Sequence, residues 1–191
     1  EFFYLSSGII VIILFMQTSI LSLTAVGIEG RSFVHQVASP NKMSQVLQAK
    51  FLLSWIFTAS ISGVLCGING LIFQPGIFEL FLFLVTIAIA SFALCGIGIG
   101  LSASFPSFVY ENPAHRVSPW AMIIGFVASM IYLILSIVII VSTYMAGSAF
   151  QDHSVMIALG GSSLFIVVSF VPAILLMVGG ARNLEKYQWT H

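Results

Sequence analysis

Ile77–Ala103, IFELFLFLVTIAIASFALCGIGIGLSA, is the stretch whose reading decides the fold. Glu79 is its only charge, close behind the Gln74-Pro75-Gly76 turn. A run of this length crosses the roughly 30 Å hydrocarbon core of a bilayer as a helix. A lone segment in lipid must satisfy its backbone internally, which a helix does and an isolated strand does not. The apolar residues cover all faces of the run, without the alternation of a barrel strand.

Four more runs share this character: Phe2–Gly27, Phe51–Phe73, Pro119–Ala146 and Val155–Gly180. The chain is 59% hydrophobic and 6% charged, with mean hydropathy +1.12. Soluble domains use roughly 25% charged residues, so an integral membrane protein is implied. The fold class is all-α, a polytopic membrane helix bundle of five spans forming a single transmembrane domain over residues 1–191. The polar connections between spans are residues 28–50 and 104–118, followed by a tail at 181–191. Pro75 and Gly76 are expected to supply the dihedrals of the second turn. Pro172 is expected to kink the last span. Cys66 and Cys95 lie inside apolar runs, where thiols act as small hydrophobes.

The charges fix an expected orientation. All six lysines and arginines, Arg31, Lys42, Lys50, Arg116, Arg182 and Lys186, fall in the first gap, the third gap and the tail. Cytoplasmic loops are enriched in Lys and Arg, so these connections are expected inside the cytoplasmic membrane and the N-terminus of the segment outside. Trp55 and Trp120 read as interfacial anchors, and Lys50 is placed to snorkel to the headgroups. The zero net charge gives no sign of nucleic acid.

The spans lack the groups that most membrane chemistry needs. No Asp, Glu, Lys, Arg or His sits at a span centre, which disfavours ion-coupled carriage. The histidines, His35, His115, His153 and His191, lie in connections or the tail. There is one aspartate, Asp152, no H-E-x-x-H motif, and no Gly-Lys dipeptide for a P-loop. No catalytic, cofactor-binding or metal-binding residue is assigned, and the chain is expected not to be an enzyme. The neutral polar residues of the first span, Gln17, Thr18 and Ser22 among them, either bond neighbouring helices or line a pathway. Gly63 and Gly67, and the denser Gly96, Gly98 and Gly100, are small residues that let helices approach closely.

The first connection holds Glu29-Gly30-Arg31-Ser32-Phe33-Val34-His35-Gln36-Val37, with Phe33, Val34 and Val37 on one helical face. Ser39-Pro40 follows as an N-cap with proline at the first helical position, then Lys42 and a second apolar face of Met43, Val46 and Leu47. Short amphipathic helices are therefore expected here, lying on the inner leaflet or docking a cytosolic partner. The third span leads into Gly98-x-Gly100-Leu101, then Phe105-Pro106-Ser107-Phe108, then Glu111-Asn112-Pro113.

Glu-Gly-Arg-Ser after an apolar span, a Ser-Pro step, and the G-x-G-x-x-x-x-x-P-x-F-x-x-E-N-P order resemble the permease subunits of bacterial type-two ATP-binding cassette exporters. The likeness runs from about Leu21 to Trp120. It implies that Glu29, Arg31, Ser32, Phe33, Pro40 and Lys42 form the elbow that docks and couples to a cytosolic ATPase. It implies an inner-loop contact or turn at Pro106, Phe108, Glu111, Asn112 and Pro113, none of them catalytic. ATP and Mg would be bound by the partner subunit, with no cofactor on this chain. A second permease half or a homodimer partner, and membrane lipid, are the other expected partners. Such permeases carry six spans per half with both termini inside, so at least one span is expected before Glu1. A structural or assembly subunit of a larger membrane complex, with no pathway of its own, is the alternative.

Overall fold

The computed structural model describes residues 2–26, 43–105, 118–150 and 153–185. They form five helices and, among the described residues, no strand: α1 (Phe2–Thr24), α2 (Met43–Phe73), α3 (Ile77–Ser104), α4 (Pro119–Ala149) and α5 (Ser154–Glu185). Each is long and apolar enough to cross a membrane.

Side-chain contacts fix the direction of every helix. Ser6 Oγ donates to Asn69 Oδ1 at 2.6 Å, and Lys50 Nζ donates to the Ala25 carbonyl at 2.9 Å, so α1 and α2 run antiparallel. Phe3 meets Phe83 edge-on at 6.0 Å while Ser22 packs on Gly98, so α1 and α3 run parallel. Parallel too are α3 and α5, with Gly96 against Ala173 and Gly100 against Leu176. Tyr132 beside Ser169 and Thr143 against Gly161 make α4 and α5 antiparallel. Lys50 and Arg182 therefore share one end of the bundle, and the α2–α3 turn and the α4–α5 turn share the other.

Helix α3 is the hub, packed against the other four. Every residue from Leu94 to Ala103 is buried. One apolar cluster joins Ile10, Leu14 and Phe15 of α1 to Leu94 and Ile97 of α3 and Tyr132 of α4. A second gathers Val26, Leu47, Phe51, Cys95, Ile99, Ala103, Ala181 and Leu184 at the end that carries Lys50 and Arg182. The outward faces are apolar as well, with Leu53, Leu71, Ile77, Val155 and Leu175 exposed. Water would not tolerate that surface; hydrocarbon would.

Two local expectations are corrected. The residue with left-handed backbone in the second turn is Gln74, at φ 47°, whereas Gly76 is extended at φ −57° and ψ 142°. Proline disfavours the right-handed helical region for the residue before it, so α2 stops at Phe73; Gln74 takes the left-handed cap conformation, and its N–H bonds the Gly70 carbonyl at 2.9 Å. The apolar face at Met43–Leu47 forms no separate helix, because α2 runs unbroken from Met43 through Lys50 into the span. Lys50 donates to the Ala25 carbonyl just beyond α1, where the last carbonyls of a helix lack intrahelical partners.

Candidate functional site

The glycine-lined half of α3 packs closely against two neighbouring helices. A Cβ added at Gly96 would stand 2.5 Å from Ala173 Cβ, and one at Gly100 would stand 2.6 Å from the Leu176 carbonyl oxygen. Gly180 of α5 faces back in the same way, since its Cβ would lie 2.6 Å from the Gly100 carbonyl oxygen. On the other side of α3, a Cβ at Gly98 would overlap the Ser22 side chain of α1. Three glycines of one helix thus seat α5 and α1 at backbone distance, where dispersion replaces the missing hydrophobic drive. Proline 172 lies one residue from the Ala173 contact, and α5 continues through it.

Gly63 and Gly67 behave differently. A Cβ on either would meet nothing within 4 Å, so they bring no helix of this chain close. Both lie on a side of α2 that no described helix of this chain covers.

The polar residues of α1 also divide. Thr18 and Ser22 are fully buried, and each hydroxyl donates to the carbonyl four residues back, on Leu14 and Thr18, at 2.5 Å. Their bonds stay within their own helix, as serine and threonine bonds in apolar helices often do. Gln17 Nε2, Ser19 Oγ and Ser62 Oγ are buried with no hydrogen-bond partner among the described residues. Asn69 of α2 bonds across to α1, accepting from Ser6 and donating to Ser7 Oγ at 3.2 Å.

Several packing groups carry no advance signal in the sequence. The Tyr132 hydroxyl and Ser169 Oγ are 2.9 Å apart, fully buried between α4 and α5. Cys95 Sγ lies 3.9 Å from Thr58 Oγ1, which itself donates to the Ser54 carbonyl. Trp55 is no simple interfacial anchor: its indole N–H donates to the Ala88 carbonyl at 3.2 Å, and its ring meets Phe51 and Phe92. Phe92 also stacks on Phe170 at 4.4 Å, so aromatic rings tie α2, α3 and α5 together. Trp120, at the start of α4, is exposed.

A groove of about 350 Å³ opens between the first turns of α2 and the last turns of α5, with Phe92 of α3 beneath it. Its walls are apolar, and Ser44 and Gln48 supply its polar groups.

The expected docking residues Glu29, Arg31, Ser32, Phe33, Pro40 and Lys42 lie outside the described residues. So do Pro106, Phe108, Glu111, Asn112 and Pro113. Their connections leave from Val26, Ser44, Phe105 and Ser118, all at the end of the bundle that carries Lys50 and Arg182.

Four apolar helices around a glycine-packed fifth have the length and composition of a multi-pass helical membrane protein. The sequence profile of the family described as "Putative ATP-binding cassette" matches residues 2–188, and the chain belongs to that family. Neither a curated protein nor a solved structure matches it. No Gly-Lys dipeptide is available to cradle phosphates, and no three His, Cys, Asp or Glu side chains gather among the described residues.

Proposed function

We propose that the chain is the membrane-spanning permease subunit of an ATP-driven exporter, powered by a separate ATPase subunit. One observation carries the reading. The region matched to an ATP-binding cassette family is filled by membrane-length helices, in a chain without a P-loop. The nucleotide chemistry then belongs on a partner. Closure of an ATPase pair would push on the 28–50 and 104–118 connections, and α3, which leads into the second of them, would pass the motion to every other helix. The cluster of basic residues in these connections supports a cytoplasmic position for them.

The test is capture of the partner. Full-length protein carrying Ser32→Cys or Phe33→Cys should cross-link to a co-purifying ATPase that bears a Walker A lysine. Reconstituted together, the two should show ATP-dependent flux. Recovery of the chain without any such ATPase would overturn the proposal. Cross-linking without nucleotide-dependent flux would favour an assembly subunit instead.

A further inference from the structure

We propose that the groove between α2 and α5 is a site for one anionic phospholipid, with an acyl chain in the groove and the headgroup over Arg182. The inference needs only the membrane-spanning fold, and it stands whether or not the chain is a permease. Leu47, Phe51, Phe92, Ile174, Met177 and Val178 give the groove an apolar floor and walls, with Leu52, Ile174 and Val178 about half exposed on its open side. Its volume of about 350 Å³ is at the lower end of the range for small-ligand sites, roughly 300–1,000 Å³.

Polarity changes along its length. Phe92 and Ile174 mark the deep end, whereas Ser44 and Gln48 of α2 and Ala181 of α5 mark the rim. Arg182 follows Ala181 in the last turn of α5, is exposed, and makes no ion pair with a described residue. Lys50, the other described cation at this end, is directed to the Ala25 carbonyl. An apolar slot with two neutral hydrogen-bonding side chains at its rim, and an exposed arginine next in α5 after the rim residue Ala181, complements an acyl chain that ends at a phosphate. Basic pockets between membrane helices bind anionic headgroups by this combination.

Trp55 reports on the site, since its ring lies 6.4 Å from that of Phe51 and 5.7 Å from that of Phe92. The experiment uses the full chain with Trp120→Phe and Trp189→Phe, reconstituted in vesicles containing brominated phosphatidylglycerol or brominated phosphatidylcholine. Bromine quenches tryptophan on contact. We expect phosphatidylglycerol to be preferred about five-fold at Trp55, the factor that one arginine near an anionic surface contributes. Arg182→Gln should bring the two lipids level, and Arg182→Lys should retain the preference, which separates lost charge from lost fold. Val178→Trp would add a second reporter, so Val178→Phe is the variant chosen to fill the groove, and it should weaken quenching by both lipids. Equal quenching by the two lipids in the starting protein, as bulk lipid alone would give, overturns the proposal. A preference that survives Arg182→Gln overturns it equally.

Discussion

At the scale of single residues, glycine shows the difference between spacing and contact. Gly63 and Gly67 have the i, i+4 spacing of a packing motif, yet no neighbour of this chain approaches them; Gly98 and Gly100 touch α1 and α5 at backbone distance. The two sets look alike in sequence because the face a helix turns inward is settled by partners far along the chain. Gly98→Ala should therefore destabilise the protein by about 1–3 kcal/mol, the usual penalty of overpacking. Adding Ser22→Gly should recover much of that loss, since Ser22 is what the new methyl strikes. Gly67→Ala should instead stabilise the isolated chain by about 0.5–1 kcal/mol, the helix-interior preference for alanine. Thermal denaturation in detergent, followed by circular dichroism, measures all three. A melting point that fell equally for both alanine variants would contradict the assignment. Tyr132 makes a second case. Tyr132→Phe and Ser169→Ala should each destabilise by about 0.5–1 kcal/mol and be less than additive together, because buried membrane hydrogen bonds are modest and this one is shared.

At the scale of elements, the five spans were legible because a bilayer demands length and apolarity from each segment by itself. Their ends were less so. The amphipathic pattern at Met43–Leu47 reads as a separate surface helix, but nothing in Gln48-Ala49-Lys50 breaks a helix, and α2 simply begins earlier. The turn at Gln74-Pro75-Gly76 is legible as a turn but not in its parts, since glycine invites the left-handed assignment that the chain gives to Gln74 instead. This gives a prediction of opposite sign to most glycine substitutions. Gln74→Gly relieves a left-handed backbone that costs a side-chain-bearing residue about 1–2 kcal/mol, offset in part by the greater freedom of glycine when unfolded. A net rise in thermal stability is expected for Gln74→Gly, and a fall for Gln74→Val, whose branched Cβ suits that conformation least. If both substitutions lowered the melting temperature alike, the cap would not be where the strain lies.

At the scale of the whole molecule, the order of helices and the one-sided charges make a single topological claim. The contacts set α1, α3 and α5 parallel to one another and α2 and α4 against them. Ser44, Phe105 and Ser118 then lie at one end, with Gln74, Phe150 and His153 at the other. A hydropathy reading alone cannot show that α3 is central, because its outer half, with Phe78 and Phe81 exposed, is as apolar as its buried half. Only the glycines and small residues from Ala93 onward hint that neighbours press close. The topological claim can be tested by labelling. Cys66 and Cys95 are buried, so the starting protein should take up little of a membrane-impermeant maleimide. Single cysteines at Gln74 and Phe150 should label in intact cells. Cysteines at Ser44 and Phe105 should label only after the membrane is opened, because the loops they adjoin carry Arg31, Lys42 and Arg116. Labelling of Ser44→Cys and Gln74→Cys from the same side would mean that α2, whose two ends they mark, does not cross the membrane, and the bundle could not stand as a set of spans. Labelling of all four with the sides exchanged would keep the fold but put the basic connections outside, where no cytosolic ATPase could reach them.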